Sequence, residues 1–239
     1  MTVRPLRVCI VVPAFREEKR IGDVVRRIRA HVPDVVVVDD GSGDGTAAEA
    51  ERAGAIVLRH PVNQGKGVAL ATGFKYARER GYEALVTMDA DGQHDPEDLP
   101  GFLEAYQRTG IPVLIGNRMA DVQGMPWVRR WTNRFMSWLL SRIMGQYVPD
   151  TQCGYRLYRC DILPFLSAGS ERFAAESEVL LHLSQRGVRM DAVRIRTIYG
   201  DEKSKIHPGA DTLRFFGMLL RFRREERKRR EAVRQSPVR

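Results

Sequence analysis

Five short apolar runs, each followed by turn residues and then by a stretch with helical spacing, constrain this chain more than anything else in it. The runs are Arg7–Val12, Val35–Val38, Ala55–Leu58, Ala84–Met88 and Pro112–Gly116. They are rich in Val, Ile and Leu without polar alternation, as strands covered on both faces must be. Between them, Glu17–His31 sets Ile21, Val24, Val25 and Ile28 on one helical face. Helical stretches also follow from about Thr46 to Ala53, from Gly67 to Arg80 and from Asp95 to Thr109. Strands alternating with helices across short loops predict an α/β fold over roughly residues 5–118. Its sheet is parallel, with helices on both faces and right-handed crossovers. Pro13 is read as the end of the first strand.

The polar residues gather where these strands end. Ala84–Met88 runs into Asp89-Ala90-Asp91-Gly92-Gln93-His94-Asp95, and Asp95 is placed to cap a helix whose first residue is Pro96. Asp89 and Asp91 therefore stand at a C-terminal strand lip, where open α/β sheets bind ligands. Two adjacent carboxylates repel each other unless a cation joins them. An oxygen-rich, imidazole-poor pair suits Mg²⁺ or Mn²⁺ held jointly with a substrate diphosphate. A solvated acidic turn fits the same stretch, and His94 is read as a turn residue rather than a ligand. The second strand ends in Asp39-Asp40-Gly41-Ser42-Gly43-Asp44-Gly45. This is not G-x-G-x-x-G, and its carboxylates suit the N–H and O–H donors of a base or ribose. Asn63-Gln64-Gly65-Lys66-Gly67 lacks the P-loop spacing; it reads as a turn and helix start, with Lys66 as a phosphate contact the alternative.

Beyond Gly116 the alternation stops. Trp127–Gly145 reads as a helix carrying all three tryptophans, Trp127, Trp131 and Trp138, interleaved with Arg129, Arg130, Arg134 and Arg142. Trp127, Trp131, Phe135 and Trp138 share roughly one face, which fits either packing on the sheet or an interfacial helix. Asp150–Arg159 reads as irregular, Glu176–Arg186 as a helix, Arg189–Tyr199 as a strand and Gly200–His207 as a polar loop. A further helix is expected from Thr212 to about Lys228. The net charge of +9 is concentrated at the end: residues 221–239 hold nine Lys/Arg against three Asp/Glu, leaving +3 for the rest. That distribution, without interleaved aromatic stacking positions, argues against nucleic acid and suits an anionic membrane surface or a solvated tail. No run is long enough to span a membrane, and Cys9, Cys153 and Cys160 form no ligand pattern. The expected location is cytoplasmic, peripheral at the cytoplasmic face of the membrane.

Four motifs then appear in fixed order: I-V-V-P-A-F-R-E-E, V-V-V-V-D-D-G-S-G-D-G-T, N-Q-G-K-G-V-A-L-A-T-G-F and M-D-A-D-G-Q-H-D-P. With D-T-Q-C-G-Y-R-L-Y-R and Y-G-D-E-K-S-K further on, the chain resembles family-2 glycosyltransferases of GT-A fold, which implies a Rossmann-like, mostly parallel nucleotide-binding sheet with helices on both faces. Among them it is most similar to the dolichyl- and polyprenyl-phosphate sugar synthases, over nearly all of residues 7–206. The implied domain is 1–208, with a nucleotide-sugar half at 1–118 and an acceptor half at 119–208, followed by an amphipathic helix and basic tail at 209–239.

The resemblance implies an inverting, metal-dependent transfer of a sugar from a nucleoside-diphosphate sugar (GDP-mannose or UDP-glucose type) to a polyprenyl phosphate. Pro13, Phe15, Glu17, Asp39 and Asp40 would line the donor's base and ribose. Asp89, Asp91 and Gln93 would hold Mg²⁺ or Mn²⁺, and Ala90 would let the backbone approach the donor. Arg118 would lie between donor diphosphate and acceptor phosphate and, with Asp91, carry the chemistry. Arg130 and Arg134, four residues apart, would bind the acceptor phosphate with Arg118. Lys203 and Lys205 would close over the donor phosphates. Arg156 and Glu178 match recurrent positions but fit structural roles equally. Relatives with membrane-spanning helices after the catalytic domain leave room for a membrane-protein partner. Two other functions stay open: the same chemistry on a soluble or glycan hydroxyl, with Asp150, Glu176 or Glu178 as base, and a non-catalytic nucleotide-sugar-binding protein.

Overall fold

The computed structural model describes residues 6–122, 125–167, 176–196, 198, 215–224 and 227. The chain divides into two compact units, Met1–Gly200 and Asp201–Arg239. In the first, seven strands form one sheet in the order β3-β2-β1-β4-β6-β5-β7. The strands are β1 (Val8–Ala14), β2 (Val35–Asp39), β3 (Ile56–Arg59), β4 (Ala84–Thr87), β5 (Val113–Asn117), β6 (Arg156–Arg159) and β7 (Met190–Arg194). Among the described residues seven α-helices accompany them: α1 (Glu18–Arg29), α2 (Thr46–Arg52), α3 (Lys66–Glu79), α4 (Leu99–Thr109), α5 (Trp127–Met144), α6 (Pro164–Ser167) and α7 (Glu176–Ser184).

β1, β2 and β4 are buried along their whole length, which is why their sequences carry no polar alternation. Pro13 does not end β1; the strand continues to Ala14. Proline is tolerated there because β1 has already passed its last partner on β4 (Val11 opposite Thr87), and only β2 flanks it. The segment read as irregular, 150–159, contains β6. It lies antiparallel between β4 and β5, so the sheet is mostly rather than wholly parallel. β6 escapes a pattern reading because it holds two arginines in four residues. Arg156 is nevertheless buried: its guanidinium donates to the Cys153 carbonyl at 2.7 Å, the Thr151 carbonyl at 3.0 Å and the Tyr158 hydroxyl at 3.2 Å. That is a structural role.

Asp95 accepts from the Glu97 N–H and starts the 3₁₀ turn Pro96–Asp98 that leads into α4. Arg27 of α1 reaches the Asp95 carboxylate at 2.7 Å, and Arg196 beyond β7 reaches Asp95 and Asp98, so two distant segments fix this loop. In the second unit residues 215–224 are helical; the segment expected as a polar loop, Gly200–His207, the start of the expected helix at 212–214 and most of the basic tail lie outside the described residues. No described helix is long and apolar enough to cross a membrane.

Candidate active site

The chain leaves β1 for β2 on one side and later returns to β4 on the other, so a crevice opens above the C-terminal ends of these strands. A cleft of about 340 Å³ lies there. Pro13, Ala14, Phe15 and Glu17 line it after β1, Asp40 after β2, Asn63, Lys66 and Ala69 from the start of α3, and Asp89, Ala90 and Asp91 after β4.

Each acidic residue has a defined setting. The Asp89 carboxylate receives the Lys66 ammonium at 2.6 Å, and its backbone N–H donates to His94 Nδ1 at 3.2 Å. Burial is the largest influence and pushes the Asp89 pKa up, but the charge and hydrogen bond of Lys66, with His94 and Arg118 nearby, together outweigh it and bring it down to about 2. Asp91 Oδ1 accepts from the Gln93 N–H at 2.9 Å across Gly92, whose φ of +76° only glycine adopts without strain. His94, expected as a turn residue, is buried and stacked on Tyr155 at 5.2 Å. Burial lowers its pKa against the pull of Asp89 and Asp91, so the ring is neutral and Nδ1 can accept the Asp89 N–H. His94 is thus a brace for the Asp89 backbone.

The two aspartates after β2 are also committed locally. Asp39 is buried and accepts from the Ser42 N–H at 3.1 Å, closing the turn at Gly41. A side chain at Gly41 (φ +71°) would run into the Val62 backbone. Asp40 accepts from the N–H groups of Gln64 at 3.0 Å and Gly65 at 2.7 Å and pairs with His60 Nδ1 at 2.7 Å; His60 Nε2 meets Thr72 Oγ1 at 2.9 Å. Burial opposes ionisation of Asp40, but these partners lower its pKa on balance. Asp40 therefore touches the cleft, yet its carboxylate is engaged in holding the loop that delivers Lys66 to its place. On the rim, Arg16 sits in the left-handed region (φ +58°), donates its N–H to Ser42 Oγ at 2.9 Å and lays its guanidinium over the half-exposed Phe15 ring.

Arg118 opens the 3₁₀ turn after β5 and is almost fully buried. Its Nε and Nη2 donate to the two Asp150 carboxylate oxygens at 2.7 and 2.9 Å. It is near enough to Asp89 and His94 to lower both their pKa values. Asp150, wholly buried and gripped at both oxygens, is not poised as a general base. Arg130 and Arg134 stand exposed on α5, beside Trp127 (74% exposed), Trp131 (67%), Phe135 (50%) and Trp138 (53%). Asn133, Met136, Ser137 and Leu140 form the buried side of that helix. The tryptophans are therefore not core residues.

The structure thus brings Pro13, Phe15, Glu17, Asp40, Asp89, Ala90 and Asp91 to one cleft, with Asp39 buried at the end of β2. Gln93 lies in the same turn as the aspartates, whereas Lys203 and Lys205 lie outside the described residues. Lys66 is the cleft residue the sequence undervalued; its signal was a lysine at the first turn of the helix after β3. A divalent ion fits the donor set. Asp89 and Asp91 offer hard carboxylate oxygens beside the cleft, and no third His, Cys, Asp or Glu closes the set among the described residues. Such an arrangement leaves positions for substrate oxygens and water, as Mg²⁺ and Mn²⁺ sites on diphosphates require.

A mostly parallel sheet with paired carboxylates at its switch point is the GT-A architecture, and the protein is a glycosyltransferase. It belongs to glycosyl transferase family 2, whose model matches residues 9–165. It is 41% identical over 170 residues to the undecaprenyl-phosphate mannosyltransferase of Micrococcus luteus, covering 66% of this chain and 68% of that protein. It is 31% identical over 213 residues to the UDP-N-acetylglucosamine–dolichyl-phosphate N-acetylglucosaminyltransferase of Methanococcus voltae (80% and 85%). Glucosyl-3-phosphoglycerate synthase from Mycobacterium tuberculosis, solved with Mn²⁺, UDP and glucosyl-3-phosphoglycerate, shares the fold at a TM-score of 0.66. That match has 20% identity and covers 90% of this chain and 79% of that one.

Proposed function

We propose that this enzyme transfers a sugar, with inversion, from a nucleoside-diphosphate sugar to a polyprenyl phosphate at a membrane surface. The observation that carries the acceptor choice is the Arg118–Asp150 pair. A hydroxyl acceptor needs a base near its proton, and of the three candidate bases Asp150 is locked under Arg118. A phosphate monoester has a second pKa of about 6, arrives as an anion and needs only cations to orient it. Arg118 is held rigidly for that task, and Arg130 and Arg134 extend the positive charge along the outward face of α5.

On the donor side, Phe15, Pro13 and Glu17 flank the base and ribose, and Lys66 and the start of α3 face the diphosphate. Asp89, Asp91 and Gln93 would hold Mg²⁺ or Mn²⁺, which supplies charge neutralisation to the departing diphosphate. His94 and the Arg27–Asp95 pair keep the Asp89–Asp91 turn at a fixed height above β4. Catalysis then comes from positioning and from charge stabilisation in a preformed cleft. The outward Trp127, Trp131, Phe135 and Trp138 face suits an interfacial helix, with arginines beside the aromatics to meet anionic headgroups. The relatives named for transfer to lipid phosphates support this reading.

The test offers a panel of GDP- and UDP-sugars, with Mn²⁺, to polyprenyl phosphate in vesicles and to soluble hydroxyl acceptors. One donor is expected to give a lipid-linked sugar, and EDTA to abolish it. Transfer to hydroxyl acceptors alone would overturn the reading.

A further inference from the structure

Asp89 already carries a cation in this structure. Lys66 Nζ lies 2.6 Å from its Oδ1, both side chains are partly exposed (43% and 27%), and the lysine starts a 14-residue helix whose first turn faces the cleft. An ammonium and a divalent ion cannot share that oxygen without strong mutual repulsion. The pair is also loose enough to exchange: it is partly solvated, and lysine has a flexible four-carbon stem with freely turning donors. A diphosphate in the cleft would offer Lys66 a more highly charged partner within reach of the same stem. We infer that Lys66 is a resident counter-ion of Asp89, displaced when the donor diphosphate draws it away, so that nucleotide and divalent metal bind cooperatively.

The inference rests on the donor reading of the cleft and adds an order to its assembly. Without nucleotide the metal must compete with Lys66; with nucleotide that competitor is engaged elsewhere. Linkage requires the converse, that metal tightens nucleotide by the same factor. Asp40 has a part in this device, because its grip on the Gln64 and Gly65 amides fixes where α3 begins and hence how far Lys66 can reach.

Mn²⁺ binding to the full-length protein, measured calorimetrically with and without UDP or GDP, tests the idea in the wild type, Lys66→Met and Lys66→Arg. In Lys66→Met, nucleotide-free Mn²⁺ affinity is expected to rise about three- to tenfold, and the tightening caused by nucleotide to shrink by a similar factor. Lys66→Arg keeps a cation there and is expected to stay within about twofold of wild type. An unchanged or weaker nucleotide-free affinity in Lys66→Met overturns the inference, as does an Arg variant that tightens like Met. If nucleotide tightens Mn²⁺ equally in wild type and Lys66→Met, the counter-ion role fails and the donor reading stands. If no nucleotide affects Mn²⁺ binding even in the wild type, the donor reading itself fails.

Discussion

Lys66–Asp89 and Arg118–Asp150 are both cation–carboxylate pairs with a 2.6–2.7 Å contact, yet they are different devices. The first joins a lysine ammonium to a carboxylate between partly exposed groups. The second is a two-pronged guanidinium–carboxylate pair with 7% and 0% of the side chains exposed, reinforced by the Arg118 N–H on the same carboxylate. Solvent screens the first and lets its partners exchange, whereas the second cannot open without leaving a buried charge uncompensated. One pair is thus open to exchange and the other is fixed. A lysine suits the first role and an arginine the second.

The contrast breaks most visibly at Asp150. Asp150→Ala strands Arg118 and is expected to destabilise the protein by about 3–5 kcal/mol in urea unfolding. Lys66→Met should cost under about 1 kcal/mol; equal costs would refute the distinction. His94→Leu comes next. It leaves the Asp89 N–H without its acceptor, at about 1–3 kcal/mol, and should lower metal affinity as well as stability. His94→Asn, with an acceptor near the Nδ1 position, should recover part of both. If Asn and Leu behave alike, the hydrogen bond is not what matters.

Acid should sharpen the picture of the loose pair. The folded pKa of Asp89, about 2, lies below its unfolded value of about 3.9. The stabilisation it contributes is therefore complete above about pH 4 and lost as pH falls towards 2. Because the pair is partly solvated the effect is small, and Lys66→Met should reduce it in an acid titration followed by circular dichroism. The least effect on stability is expected on α5. Replacing Trp127, Trp131 and Trp138 with serine should change it by no more than about 0.5 kcal/mol while abolishing binding to anionic vesicles. Full retention of vesicle binding would remove the interfacial role.

Much of this was legible in the chain. β1, β2 and β4 announce themselves because both faces are covered, and Asp95 is legible as a cap because a short acidic side chain before proline accepts from the N–H groups of the first turn. The acidic strand ends marked the cleft for the same reason. What stayed hidden depends on partners distant in sequence. Lys66 and Asp89 are 23 positions apart and meet only because α3 begins beside β4's end. Asp39 and Asp40 are chemically alike in the sequence; only the fold shows that Asp40 ties down the 60–65 loop. In the sequence His94 reads as a turn residue and Arg156 fits a site or a structural role equally; both are buried because backbone groups and an aromatic ring receive them. The outward turn of the tryptophans could not be chosen from spacing, since a stripe marks a face without saying what it faces.

The place of β6 has a consequence for how the protein is made. β4 needs β6 on its second edge, and β6 is synthesised about 70 residues later. At about 5–20 residues per second, β4 waits on the ribosome with one edge uncovered for roughly 4–14 s. An apolar strand with free backbone groups is a template for wrong partners. Ala84–Thr87 is short, four residues, and the carboxylates that follow it are poor guests for another sheet. The aspartates that line the cleft thus also set negative charge at the end of this strand, the kind of feature that disfavours wrong pairing while its second edge is open.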